Sequence, residues 1–197
     1  MYKNVIFDYS DTLFHFKARE YLTDLMQGDQ ENARRLHAAL FECPLWLSFD
    51  YGLISRDEHK RQALQSLSPE DRAIADIYLD HWHEHYEPIE GMPEIVEELK
   101  NRGIRLYVLS NFPETFELVY AQRELLHRFD GRLISYEAGT GKDDPAFFQR
   151  LLKKYDLKAE ECMYFDDYPR FIKVARALGI DGHTFTNAAD VRRILGI

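Results

Sequence analysis

Cysteine is scarce in this chain. Cys43 and Cys162 are the two thiols in 197 residues, too few and too far apart for a disulfide framework. They are expected to stay reduced, and Cys162 reads as strand interior. Long apolar runs are missing too; none approaches the ~18 residues of a membrane helix. Positive charge is short, with 25 Lys and Arg against 34 Asp and Glu and a formal net charge of −9. That balance argues against nucleic acid and anionic membrane surfaces as partners. Internal repeats and low-complexity stretches are absent. Met1-Tyr2-Lys3-Asn4 runs directly into a strand pattern, so no signal peptide and a cytoplasmic location are expected. What the chain does have is apolar material, 45% of residues with 14% aromatic. That suffices for one large domain, or a core with a modest insertion.

Residues 2–8 read as a short buried strand stopped by a charged loop. From Phe14 to about Pro88 no convincing strand is readable and helices dominate. Ser55-Arg56-Asp57-Glu58 has capping-box spacing, and Ser68 precedes Pro69 at a first helical position. After Pro88 the texture alternates. Helices are expected over 93–102, 113–126, 145–155 and 171–178, with strands over 104–109, at Leu133-Ile134, and over 162–165 and 182–185. Asn187 is placed to cap a last helix. Strands alternating with helices of about ten residues imply right-handed βαβ units on a parallel sheet. The expected fold is α/β: a doubly wound, Rossmann-like core of residues 1–13 plus 89–197, with an all-helical cap over 14–88 inserted after the first strand.

Three short polar pieces sit where apolar runs stop: Asp8 to Thr12, Ser110-Asn111, and Asp166-Asp167. Lys142 stands alone between the second and third. Ligands of open α/β sheets bind beyond the strand carboxyl ends. Carboxylates converging there repel unless a cation neutralises them, and all-oxygen donors without His or Cys point to Mg2+ paired with substrate phosphate. Lys142 and the Ser110 hydroxyl would face the phosphate oxygens, as phosphoryl transfer requires.

These pieces, in this order, resemble the haloacid dehalogenase superfamily, and within it the small sugar-phosphatase-like branch with a helical cap after the first strand. The superfamily pattern is strand–Asp-x-Asp-Gly-Thr-Leu, strand–Ser/Thr-Asn, a Lys before Pro-Asp-Pro, and strand–Asp-Asp. Lys142-Asp143-Asp144-Pro145 and Ala175-Arg176-Ala177-Leu178-Gly179 are similar to the branch as well. The resemblance implies that Asp8 attacks phosphorus, giving an aspartyl-phosphate. It implies that Ser110 and Lys142 bind the phosphoryl group with Asn111 beside them, and that Asp8, the backbone carbonyl of Ser10, Asp166 and Asp167 hold Mg2+. The substrate would be a small phosphorylated metabolite such as a hexose 1-phosphate, and the protein a monomer or homodimer. Four positions depart from the pattern. Ser10 stands where the general acid is expected, Asp11 where glycine is, Asp143 where the first Pro is, and Phe171 where a helix Asn is. A hydroxyl is a far weaker acid than a carboxyl, and lost acid–base help costs ~10²–10⁴-fold. Slow turnover, or substrates with easy leaving groups, is therefore expected.

Two other readings stay open: a metal-independent 2-haloacid dehalogenase, and a weakened protein that binds a phosphate ligand without turnover. His15 is close enough in sequence to enter the site as a proton donor. His81, His83 and His85 read as a solvated helix face rather than a zinc site. Gly139-Thr140-Gly141-Lys142 lacks the upstream glycine of a P-loop. Phe16, Trp46, Phe49, Tyr51, Trp82 and Tyr86 read mostly as the core of the helical insertion, with one or two near residues 49–53 facing substrate.

Overall fold

The computed structural model describes residues 2–197. Strand β1 (Asn4–Phe7) leads into β2 (Phe14–Phe16). Five helices follow: α1 (Ala18–Leu25), α2 (Gln30–Phe41), α3 (Pro44–Asp50), α4 (Arg56–Ser66) and α5 (Pro69–His81). The chain returns through β3 (Tyr86–Pro88). Elements then alternate as α6 (Met92–Asn101), β4 (Arg105–Ser110), α7 (Phe116–Gln122), β5 (Gly131–Ile134), α8 (Ser135–Ala138), α9 (Pro145–Lys154), β6 (Cys162–Asp166), α10 (Pro169–Ala177), β7 (Asp181–Thr184) and α11 (Ala188–Leu195).

β1, β4, β5, β6 and β7 form one sheet in the order β5-β4-β1-β6-β7, and every neighbouring pair is parallel. Both faces are covered, as a parallel sheet requires. Val5, Phe7, Leu106, Val108, Met163 and Phe165 point into one apolar cluster. Ile6, Tyr107, Leu109, Cys162 and Tyr164 point into the other. The chain builds outward from β1 to one side and then to the other, so β1 and β6 flank the point where strand order reverses.

The sequence signals at helix starts hold up as local chemistry. The side chains of Ser55, Ser68 and Asn187 accept hydrogen bonds from the backbone N–H groups of Glu58, Asp71 and Asp190. Two expectations for residues 14–88 are corrected. That stretch is not free of strands: β2 and β3 pair antiparallel, with Phe16 opposite Tyr86 and Phe14 opposite Pro88. Three residues per strand, one of them Pro, leave too little alternation to be read. The histidines do not share one solvated face either. α5 ends at His81, and a 3₁₀ turn (Trp82–Glu84) buries His83, where burial pushes its imidazole down to about 4. His85 stacks on Tyr21 with ring centroids 3.7 Å apart.

The apolar interior of the inserted helices, Leu22, Leu36, Leu40, Tyr78 and Trp82 among others, is continuous with the cluster on one sheet face. The turn after α3 presses on α8 closely. A Cβ on Gly52 would lie 2.6 Å from the Tyr136 carbonyl oxygen, and Gly52 has φ +67°. Gly52→Ala is expected to lower unfolding free energy by at least about 1–2 kcal/mol from the left-handed backbone alone, with the clash added. Urea denaturation checks this; an unchanged midpoint would show that the turn relaxes freely.

Candidate active site

Strand register builds the site. Asn4 to Phe7 align with Arg105 to Val108 on one side and with Cys162 to Phe165 on the other. One more residue brings Asp8 level with Asp166, and Ser110 lies just beyond on β4. The three expected strand-end pieces therefore meet at the carboxyl edge of the sheet, at the reversal of strand order where α/β folds bind ligands.

Lys142 ties them together. Its ammonium lies 2.8 Å from Asp8 Oδ2 and 2.7 Å from Asp166 Oδ2, and all three side chains are at most 5% exposed. Asp8 Oδ1 accepts from the Ser110 hydroxyl at 2.8 Å and from the Tyr9 N–H at 2.7 Å. Asp166 Oδ1 accepts from the Tyr168 N–H at 2.7 Å, and Tyr164 OH donates to Asp166 Oδ2. Asn111 acts on the backbone: its Oδ1 accepts from the Lys142 N–H at 2.9 Å. The flexible-looking Gly139-Thr140-Gly141 stretch has a packing explanation here. A Cβ on Gly141 would lie 2.6 Å from Asn111 Oδ1 and 2.7 Å from a Tyr51 ring carbon.

Burial dominates the titration of this centre. It raises the Asp8 carboxyl to about 6 against the pull of Lys142, with Asp166 adding repulsion. It raises Asp167 to about 7, with Asp8 and Asp166 again adding to the effect. For Lys142 burial is the largest single influence and pulls downward. The carboxylates of Asp8 and Asp166 together outweigh it, so the ammonium holds its proton more tightly than a free lysine. Three acids face one base. Asp8, Asp166 and Asp167 each offer an oxygen within 4.8 Å of the others, and Asp167 Oδ1 is buried with no hydrogen-bond partner. A hard divalent cation fits that donor set and that orphaned atom.

The four departures from the family pattern have local outcomes. Ser10 Oγ lies 3.1 Å from Tyr86 OH on β3. Asp11 has φ +51°, the left-handed backbone that glycine supplies elsewhere and that Asp tolerates better than most residues. Its carboxylate accepts from the Phe16 N–H at 3.1 Å. Phe171 lays its ring 4.8 Å from the Lys142 ammonium. Asp143 sits 3.6 Å from Arg170 Nε. His15 does not join the site: it is exposed, with Nδ1 3.8 Å from Asp11, and it does not line the cavity.

That cavity, about 720 Å³, opens over Asp8, Ser10, Ser110, Asn111, Lys142 and Asp167. Much of its wall is aromatic, with Phe16, Phe41, Trp46, Trp82 and Tyr86 among the lining residues. Phe49 and Tyr51 are not on that wall, contrary to the expectation for residues 49–53. From that segment it is Asp50 that reaches the cavity. No sequence signal marked this residue.

A family profile described as haloacid dehalogenase-like hydrolase matches residues 2–179. The chain belongs to the haloacid dehalogenase-like hydrolases. It is 24% identical over 159 residues to flavin mononucleotide hydrolase 1 of Arabidopsis thaliana, covering 79% of this chain and 64% of that protein. To sesquiterpene phosphatase astK of Aspergillus oryzae it is 26% identical over 156 residues, covering 77% of this chain and 79% of that one. The chain thus spans a little under two thirds of the first relative and most of the second. Among solved structures it resembles HAD family enzyme BT-2542 of Bacteroides thetaiotaomicron in its magnesium complex. The TM-score is 0.78 at 18% identity, over 98% of both chains. The match extends through the inserted helices as well as the sheet. No helix among the described residues is long and apolar enough to cross a membrane.

The raised Asp8 value has a stability consequence. Its carboxyl is easier to protonate in the folded protein, at about 6, than at its ordinary 3.8. The native state therefore gains protons over the unfolded chain between those values, and the Asp8 contribution is lost as pH rises through about 6. In chelator, Asp8→Asn is expected to exceed wild type in urea midpoint at pH 8, with the gap closing toward pH 4. A pH-independent gap would contradict this electrostatic account.

Proposed function

We propose that this chain is a Mg2+-dependent phosphatase of small phosphate monoesters, working through an aspartyl-phosphate on Asp8. The observation that carries the reading is the buried triangle of Asp8, Lys142 and Asp166 at the cavity floor, with a third carboxylate, Asp167, beside it. In this reading residues 1–13 and 89–197 form the catalytic core, and 14–88 the cap that closes over the substrate.

Asp8, Asp166, Asp167 and the Ser10 carbonyl would hold Mg2+, which supplies positive charge to the phosphoryl oxygens and allows an anion to approach an anion. Lys142 and Ser110 contribute the fixed donors: the ammonium neutralises charge on the equatorial oxygens, and the hydroxyl orients Asp8 before attack. Asn111 holds the backbone of Lys142 in place. Asp8 displaces the alkoxide or phenoxide from phosphorus, and water then releases inorganic phosphate and regenerates the carboxylate. Ser10 hydrogen-bonds at the edge of the site but is too weak an acid to drive departure of a poor leaving group. The aromatic wall favours a substrate with an apolar or planar body; hexose 1-phosphates are the polar alternative. The dehalogenase reading is less well supported, because it leaves the unpaired Asp167 oxygen without a purpose.

Phosphate release from flavin mononucleotide, prenyl phosphates, aryl phosphates and hexose 1-phosphates, each with Mg2+ or chelator, tests the proposal. Mg2+-dependent turnover is expected on at least one ester, with Asp8→Asn lowering kcat by about 10⁴-fold or more. Chelator-resistant halide release from a 2-halo acid would favour the dehalogenase, and tight Mg2+-dependent ester binding without turnover the weakened binder.

A further inference from the structure

The cap places one carboxyl in the cavity with no protein partner. Asp50, the last residue of α3, is 6% exposed and lines the same cavity as Asp8 and Lys142. Among the described residues its side chain makes no hydrogen bond and no ion pair, yet its oxygens are not sealed off as the orphaned Asp167 Oδ1 is. They open to the cavity. A buried carboxyl with no donor to satisfy it is costly to ionise, and burial pushes this one up to about 7. Lys142 opposes the rise and Asp8 adds to it, and these are the two charges that bear on it.

Its position is fixed by the core. The Ser135 hydroxyl donates to the Asp50 carbonyl at 2.6 Å and accepts from the Phe112 N–H at 2.8 Å. This clamps the end of α3 to the segment just after Ser110-Asn111. Two residues on, Gly52 meets the Tyr136 carbonyl, and Tyr51 packs against Gly141, beside Lys142. Contacts from three core segments thus hold the Asp50 backbone at the site.

Resting on the phosphatase reading, we propose that Asp50 is the proton donor to the leaving group, a role that Ser10 cannot fill. As Asp8 attacks phosphorus and the bond to the leaving oxygen breaks, the neutral Asp50 carboxyl gives its proton to that oxygen, releasing an alcohol and leaving Asp50 ionised. In the second half, the Asp50 carboxylate takes a proton from the water that attacks the aspartyl-phosphate. Phosphate leaves, Asp8 is restored, and Asp50 is neutral again. The net change is one ester and one water to one alcohol and one phosphate.

The test compares p-nitrophenyl phosphate, whose phenol departs readily, with 2-(4-nitrophenyl)ethyl phosphate, whose alkanol needs the proton. Asp50→Asn should lower kcat/KM on the alkyl ester by ~10²–10⁴-fold and on the aryl ester by less than ~10-fold. Because kcat/KM reports steps through phosphorylation of Asp8 while kcat includes the water step, the variant should also show a burst of nitrophenol followed by slow turnover. Ser10→Asp added to Asp50→Asn, which restores an acid at the family position, should recover part of the alkyl rate. Retained aryl kcat/KM shows that the variant is folded. Equal losses on both esters, or no loss on either, would overturn the assignment while leaving the phosphatase reading intact, provided wild type turns over with Mg2+ and Asp8→Asn does not. Absence of any wild-type turnover would overturn both.

Discussion

Lys142 is the constraint around which the site is organised. Asp8 and Asp166 end neighbouring strands in register, so the sheet itself forces their carboxylates together, out of reach of bulk water. Two buried anions at that separation would cost several kcal/mol each without compensation. One ammonium, 2.8 and 2.7 Å from them, makes the arrangement tolerable; the Phe171 ring lies against that ammonium, and Asn111 holds the Lys142 backbone. The compensation is incomplete: one ammonium faces two carboxylates, and Asp167 adds a third acid to that excess. That residual negative charge suits the centre to a hard divalent cation.

Much of this was legible from sequence, for a physical reason. A parallel strand buried on both faces is a continuous apolar run, so its end is a sharp transition. The polar residue at that transition must lie at the sheet edge. Asp8, Ser110 and Asp166 were readable in this way, and Lys142 followed from its place in the series. Helix starts at Ser55, Ser68 and Asn187 were readable because a cap is a local hydrogen bond. The β2–β3 ribbon was not: each strand is three residues long, and the pairing joins segments some seventy residues apart. The burial of His83 depends on where α5 gives way to a 3₁₀ turn, which no periodicity marks. Asp50 was invisible for a different reason. It carries no motif, and its reach into the cavity depends on how the end of α3 docks on Ser135 and Tyr136, a tertiary fact.

The substitutions at the pattern positions are not equivalent. Asp11 keeps the left-handed backbone that glycine would supply, so the loop path survives the change. Phe171 places an aromatic face beside Lys142 where the pattern has Asn, and such a face stabilises an ammonium. Ser10 differs in kind, because hydrogen-bonding capacity is kept while acidity is lost. The scaffold thus accommodates Asp11 conformationally and Phe171 electrostatically, whereas the change at Ser10 alters what that position can donate.

Both tryptophans of the chain, Trp46 and Trp82, stand on the cavity wall with ring centroids 5.2 Å apart. No indole lies elsewhere to dilute their emission. The protein thus carries its own optical reporter: intrinsic fluorescence, excited at the red edge where the tyrosines are silent, samples the occupancy and polarity of this one chamber.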